Sequence, residues 1–196
     1  MATKIDICNM ALSAVRAAKI SQLDEASAEA EACGTHYDAQ LDATLRDHPW
    51  NFATAYEALA AAPVAPPHWS YAYARPAGCI LARFIVPAVK GGPDVPFERA
   101  GDLLLCDQSE SWLCFTKRVT DPARFDPLFA VAFSLRLTVA ISAELTADRG
   151  WVQAAQTQYL NAVASAKAAD GSEGTPEEPR DPSWIAAAGI DTTYIA

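Results

Sequence analysis

The sequence predicts a mainly α-helical fold, in which a bundle of about four helices carries a small antiparallel β insertion and ends in an extended carboxy-terminal arm. Four stretches repeat apolar residues at steps of three and four, the spacing of one helix face. Between the second and third stretches, short runs rich in Tyr, Val, Ile, Leu and Phe are broken by turn residues, which is typical of strands. The predicted units are a discontinuous bundle of residues 1–62 and 119–170, a β insertion of residues 63–118 and an arm of residues 171–196.

The first two helices have recognisable beginnings. Thr3 is a suitable N-cap for a helix over residues 3–17, because its side chain can accept a hydrogen bond from a free backbone N–H. The second helix follows residues 21–24 and has acidic residues at its start, which suit the helix dipole. The apolar positions of the two helices are Ile5, Cys8, Leu12 and Val15, then Ala26, Ala30, Cys33, Tyr37, Leu41 and Leu45.

The segment from His48 to Ala53 predicts a structural junction without a catalytic group. Pro49 disfavours helical dihedrals in the residue before it, so the second helix should end at about His48. The large rings of Trp50 and Phe52 follow, in a strand or loop that we expect to pack on the core. Residues 54–61 fit either a strand or a short helix, because Ala dominates there.

The β insertion is expected to contain a hairpin. The apolar runs 103–106 and 112–115 flank the polar residues 108–111, and Gly101 nearby favours strands over a buried helix. In one register Cys106 and Cys114 would face each other across this hairpin. Reduced thiols, as is usual in a cytosol, are nevertheless the expectation for the cysteines at positions 8, 33, 79, 106 and 114.

The third helix is predicted to be the central, buried one. Asp126 can cap it with Pro127 at its first position, where the missing N–H costs no helical hydrogen bond. Residues 128–145 are apolar on nearly every side. The chain should break near Gly150, and a last amphipathic helix should end near residue 170. Its apolar stripe is Trp151, Ala155, Tyr159, Ala162, Val163 and Ala166.

Composition limits the classes of function. A chain of 196 residues suits one domain, or one domain with an insertion, and buries roughly 70% of its unfolded surface. No run of about 18 apolar residues occurs, so we expect a soluble protein without a signal peptide and without a membrane partner. The net charge is −9, with 24 acidic and 15 basic residues and no clustered Lys or Arg, which argues against a protein that grips DNA phosphates.

We expect no enzyme, no cofactor and no metal site. The chain has no Gly-rich phosphate loop, nucleophile elbow or His-Glu-x-x-His run, and its cysteines and histidines lack zinc-ligand spacing. His36, His48 and His68 are scattered, and each is expected to be a surface or capping residue.

Two alternatives come from other classes of function. A muralytic enzyme, which cleaves peptidoglycan, needs two carboxyls across a sugar cleft, and an acid buried beside an aromatic would favour it. The candidate carboxylates would be the adjacent pairs Asp24-Glu25 and Glu177-Glu178. A monomeric helical regulatory or ligand-binding module would instead contain an enclosed pocket and form no ring.

The order of residues around the junction resembles the tail tubular protein A type of head-to-tail adaptor of tailed bacteriophages, over most of residues 1–169. Arg16 departs from the pattern, since a glycine is expected after the first helix. The residues that carry the resemblance are Ile5, Cys8, Asn9, Ala11, Leu12, Leu23, Asp24, Ala30, Cys33, Tyr37, Leu45 and Arg46, the string Pro49-Trp-Asn-Phe-Ala53, the string Val119-Thr-Asp-Pro-Ala-Arg-Phe-Asp-Pro-Leu-Phe129, and Ala132, Leu135, Arg136, Leu137 and Leu145.

The resemblance implies a structural adaptor of the virion, assembled in the host cytoplasm as a ring of twelve copies. Such a ring lies beneath the portal protein, binds a tail, nozzle or stopper protein on its opposite face, and lets DNA pass without specific binding. The arm adds large apolar residues after a segment rich in Gly, Pro and Glu, a pattern that indicates a docking arm. Its proposed partner-binding residues are Trp184, Ile185, Tyr194 and Ile195.

Overall fold

The computed structural model describes residues 2–63, 66–145 and 149–173, and within them the predicted fold class is confirmed. The described helices are α1 (Lys4–Ala14), α2 (Ala28–Arg46), α3 (Pro127–Leu145) and α4 (Arg149–Ser172), with short 3-10 helices at Asn51–Ala53 and Pro122–Arg124. The strands are β1 (Thr54–Ala58), β2 (Tyr71–Ala74), β3 (Cys79–Val86), β4 (Phe97–Ala100), β5 (Leu103–Cys106) and β6 (Trp112–Lys117).

Helix α1 begins as predicted and ends in an unusual way. Thr3 and Asp6 form a reciprocal capping box at its first turn. At its end Arg16 has a φ of 59°, in the left-handed region that glycine adopts most easily. The Ala17 N–H donates to the Leu12 carbonyl at 3.0 Å, as in the usual glycine-ended helix cap. The glycine expected at this position would therefore have a conformational role, and Arg16 adopts the same backbone geometry.

Helix α2 ends at Arg46, slightly before the predicted His48, and the chain then turns into the core. The predicted burial of Trp50 is confirmed, because its side chain has no exposed surface. Its indole N–H donates to the Thr44 carbonyl at 2.9 Å, which satisfies the ring's polar atom. Its ring also packs edge-on against Phe129 of α3, with centroids 5.0 Å apart.

Helix α3 is the central helix of the bundle, as predicted. The Asp126 carboxylate caps it by accepting from the backbone N–H groups of Leu128 and Phe129. The helix contacts α1, α2 and α4, and residues on several of its sides are buried. By length and composition alone it is apolar enough to cross a membrane, but its packing is that of the core helix of a bundle.

Polar groups connect α2 with α3 and α4 through Arg136. The Arg136 guanidinium donates to Gln40 at 3.1 Å and to the Tyr159 hydroxyl at 2.7 Å, and it forms an ion pair with Asp47. The Tyr159 hydroxyl also donates to Asp47 at 2.6 Å. Burial raises the pKa of Tyr159 to about 12, so this hydroxyl remains a donor at neutral pH.

The strands form two antiparallel sheets of three strands each, ordered β1-β6-β3 and β2-β5-β4. Residues 54–58, for which strand and helix were both open, form β1 and pair with β6. The predicted hairpin between residues 103–106 and 112–115 is wrong, because β5 pairs with β2 and β4 whereas β6 pairs with β1 and β3. The polar segment between β5 and β6 is therefore a crossover between sheets.

The crossover is held to the end of β3 by hydrogen bonds. The Gln108 side chain donates to the Val86 carbonyl at 2.9 Å and accepts from the Ala88 N–H at 3.1 Å. The Ser111 hydroxyl donates back to the Gln108 carbonyl at 2.8 Å. The apolar side chains of β5 and β6 both enter a second core, which includes Leu104, Leu113, Phe115 and Ile85.

All five cysteines are buried and carry free thiols. Cys106 and Cys114 do not face each other across a hairpin, since their strands belong to different sheets. Cys8 of α1 and Cys33 of α2 are side by side in the bundle core, as expected of small apolar residues, and their thiols share a hydrogen bond. That bond, together with burial, raises the pKa of the Cys8 thiol above its usual value.

Candidate docking surfaces

The predicted junction joins the end of α4 to the start of the first sheet. The Asp170 carboxylate, which is 8% exposed, accepts from the Asn51 N–H at 2.9 Å and lies 3.0 Å from His48 Nε2. The Asn51 side chain donates to the Asp170 carbonyl at 2.7 Å, which satisfies one of the free carbonyls at a helix end. Residues about 120 positions apart in sequence are thus held together just before β1. His48, expected to be a surface or capping residue, is a partly buried partner of Asp170 in this junction.

Arg83 extends this junction into the sheet. Its guanidinium donates to the hydroxyls of Thr116 and Thr54, both at 3.0 Å, and to the Trp50 carbonyl at 3.3 Å. Burial lowers the pKa of Arg83 from its usual value, and Asp170 is close enough for its charge to act in the opposite direction. The junction therefore connects three strands of the sheet to the end of α4.

The first sheet has one buried face and one aromatic face. Leu113 and Phe115 of β6 point into the second core, so Trp112 and Cys114 point to the opposite side. Cys114 is paired in register with Tyr56 on one neighbouring strand and with Phe84 on the other. We call the outward-facing rings Tyr56, Phe84 and Trp112 the aromatic face; they are 59%, 45% and 51% exposed.

A second apolar surface lies on the bundle. Met10 of α1 and Val131 of α3 are each about two-fifths exposed, and they line an open groove of about 590 Å³ with Leu135. Polar side chains also line this bundle groove, namely Asp6, Asn9, Ser13 and Lys19, together with the buried Ser134. An apolar floor with a polar rim is the composition of a protein-binding surface.

Several of the described basic residues are engaged by carboxylates and carbonyls. Arg118 donates to Asp42 and Asp38 of α2, and Lys4 lies 3.9 Å from Asp38. Other described pairs include Arg75 with Asp102 and Arg136 with Asp47, while Arg46 donates to the Ile80 carbonyl. The net charge of the full sequence is −9, which disfavours binding to phosphate.

One candidate carboxylate of the muralytic alternative, Glu25, makes local structural contacts. The Glu25 carboxylate accepts from the backbone N–H of Ser21 and from Ser27, and these bonds lower its pKa. A glycosidase acid needs the opposite shift. Glu177 and Glu178 lie outside the described residues, and the described part of the chain contains no group of three or more possible metal ligands.

The sequence-predicted docking residues Trp184, Ile185, Tyr194 and Ile195 also lie outside the described residues. Sequence reasoning missed the aromatic face. Tyr56 stands between Ala55 and Glu57, and Phe84 stands between Arg83 and Ile85, so neither ring belongs to a regular alternation of polar and apolar residues. Only the register of the sheet brings the three rings together.

Among known proteins, no family model matches this chain and no curated protein is significantly similar to it.

Proposed function

We propose that this protein is a structural head-to-tail adaptor of a tailed phage, which forms a ring on the portal protein, continues the DNA channel and provides the attachment surface for the tail. The residue pattern around the junction suggests this function. The structural observation that supports the proposal is that the subunit has two separate exposed apolar surfaces, the aromatic face and the bundle groove.

A closed ring needs two different surfaces on every subunit. Each copy binds its neighbour head-to-tail, so one patch contacts a different patch on the next copy, and axial partners need further surfaces. The bundle groove lies between α1 and α3, whereas the aromatic face lies on the first sheet, formed by β1, β6 and β3. Patches of this kind on a small soluble protein usually mark interaction sites.

The charge of the subunit suits a channel that DNA crosses without adhering. Twelve copies would multiply a net charge of −9 twelvefold, and several described arginines, among them Arg118 and Arg136, are paired with carboxylates. Such a wall repels phosphate within about one Debye length, roughly 8 Å at physiological salt. The proposed partners are therefore the portal protein, a tail, nozzle or stopper protein and further copies of this chain, with no specific DNA contact.

Electron microscopy of the protein mixed with its portal protein tests this proposal. We expect rings of this protein on one face of the portal, with a continuous central channel. Variants Met10→Asp and Val131→Asp in the bundle groove should reduce ring formation, whereas Leu160→Asp on α4, which is 56% exposed, serves as a matched control. A protein that stays monomeric with the portal present, or that binds free duplex DNA tightly and in a salt-sensitive way, would contradict the proposal.

A further inference from the structure

We propose that the aromatic face is the docking site of the chain's own residues 174–196, which cover it in the free subunit through the apolar side chains of Trp184, Ile185, Tyr194 and Ile195. The surface and the segment complement each other in chemistry, since one offers aromatic rings and the other offers aromatic and branched apolar side chains. The inference concerns the free protein, so it does not depend on the adaptor function.

The aromatic face is large enough to require a partner. A buried aromatic side chain removes roughly 150–250 Å² from water, so three rings that are about half exposed leave about 300 Å² of aromatic surface. That value reaches the size of the patches that are functional on small proteins. The face is also ordered for docking, because Tyr56 and Phe84 lie against Cys114, which is only 1% exposed.

The position of the last described residues identifies the occupant. Asp170 is bound to the Asn51 N–H, three residues before β1, and it acts on the charge of Arg83. Arg83 in turn lies over Thr54 and Thr116, which are on the same side of β1 and β6 as Tyr56 and Cys114. The last described residue after α4, Glu173, therefore lies near the end of the first sheet where Thr54 is paired with Thr116.

The length of the segment is sufficient. Trp112 lies opposite Ala58, four residues along the strand from Thr54, a distance of roughly 13 Å at strand spacing. Trp184 follows Glu173 by eleven residues, which span up to roughly 36 Å when extended.

Tethering favours the chain's own segment over that of a second copy. A segment joined to its docking surface by a short linker is present there at an effective concentration of the order of millimolar. A second copy at micromolar concentration would be about a thousandfold more dilute. In a ring or on a portal this advantage falls, so assembly could exchange the segment for a partner and free its anchors.

Heteronuclear NMR of the full-length protein tests the inference from both sides. In the wild type, the indole N–H of Trp184 should resonate away from its value in a free peptide of residues 174–196. The variant Trp184→Ala with Tyr194→Ala should shift backbone amides mainly in β1, β3 and β6, around Tyr56, Phe84 and Trp112. The reciprocal variants Phe84→Ser and Trp112→Ser should return the Trp184 resonance to its free-peptide value.

The other sheet provides a matched control. Tyr71 of β2 is 41% exposed, so Tyr71→Ser removes a comparable ring and should leave the Trp184 resonance unchanged. A Trp184 resonance at the free-peptide value in the wild type would overturn the inference, as would shifts grouped at the bundle groove. A resonance that moves on dilution would show that the occupant comes from a second copy, which also overturns it. Because the arm variants leave the sheet intact, misfolding of the sheet variants does not remove the test.

Discussion

The helical bundle and the aromatic face of the first sheet both contain clustered aromatic side chains, but they differ in burial. Trp50, Phe129 and Phe133 have no exposed surface, whereas Tyr56, Phe84 and Trp112 are about half exposed. The difference follows from layering. Helix α3 has neighbours on three sides, while the sheet has a core on one face only. The bundle rings therefore belong to the core, whereas the three rings of the aromatic face leave about half of their surface open to solvent.

The largest expected effect is a difference in stability between one aromatic substitution in the bundle and one in the first sheet. Trp50→Ala should reduce the free energy of unfolding by about 3–5 kcal/mol, because it empties a closed site and leaves the Thr44 carbonyl without its indole donor. Trp112→Ala should cost less than about 1 kcal/mol. Urea denaturation followed by circular dichroism measures both values.

Equal losses for Trp50→Ala and Trp112→Ala would mean that the contrast between the regions is false. A smaller distinction is also informative. If Trp112→Ala costs more in the wild type than in a Trp184→Ala background, the difference measures the cover that residues 174–196 provide.

A second substitution tests the connection between the two regions. Asp170→Ala should cost about 1–3 kcal/mol, because the Asn51 N–H and His48 lose their acceptor at the start of β1. Asp102→Ala is the matched control, since Asp102 is 93% exposed and lies 3.5 Å from Arg75, so the melting temperature should hardly change. Hydrogen exchange should become faster in β1 and at the end of α4 in the first variant only. Unchanged exchange at both places would show that the junction does not couple them.

Left-handed backbone occurs in both regions. Between the strands, Gly101 has a φ of 62° and Glu110 a φ of 48°. In the bundle, Arg16 has a φ of 59°, and its guanidinium lies 5.0 Å from the centre of the Trp151 ring. Arg16→Gly should be more stable than Arg16→Ala by about 1 kcal/mol, because alanine keeps the strain and loses the ring contact. Gly101→Ala should lower stability by a similar amount, since a Cβ there is strained although space is available. Thermal melts of the three variants measure the differences, and a more stable Arg16→Ala would refute the strain argument.

The smallest expected effect is a pH dependence at the start of α2. The backbone N–H of Ser21 and the hydroxyl of Ser27 lower the pKa of Glu25 below its unfolded value of about 4.3. The ionised Glu25 therefore stabilises the folded protein above that pH, and this stabilisation is lost as the pH falls through the pKa of the folded state. Glu25→Gln should melt slightly below the wild type at neutral pH, and the gap should close in acid. For Glu57→Gln, at an exposed position of β1, the melting temperature should change with pH as it does in the wild type. A constant gap for Glu25→Gln would exclude this linkage.

Much of the bundle could be predicted because its signals are local. Thr3, Ser27 and Asp126 cap the helices that follow them, and the spacing of apolar residues gives the faces that pack on α3. The predicted hairpin was wrong because an apolar run shows that a strand is buried but not which strand it pairs with. The aromatic face was missed for the same reason, since a shift of one residue in register would place its rings on the other side.

The sequence by itself determined the helices, their caps, the central position of α3 and the burial of Trp50, since each depends on interactions within a few residues or on a large apolar ring that needs cover. Only the tertiary structure decided that Asp170 holds Asn51, that β5 and β6 belong to different sheets, and that Tyr56, Phe84 and Trp112 share one exposed face. These features join residues that are far apart in the chain. Such contacts depend on how complete helices and strands pack against one another.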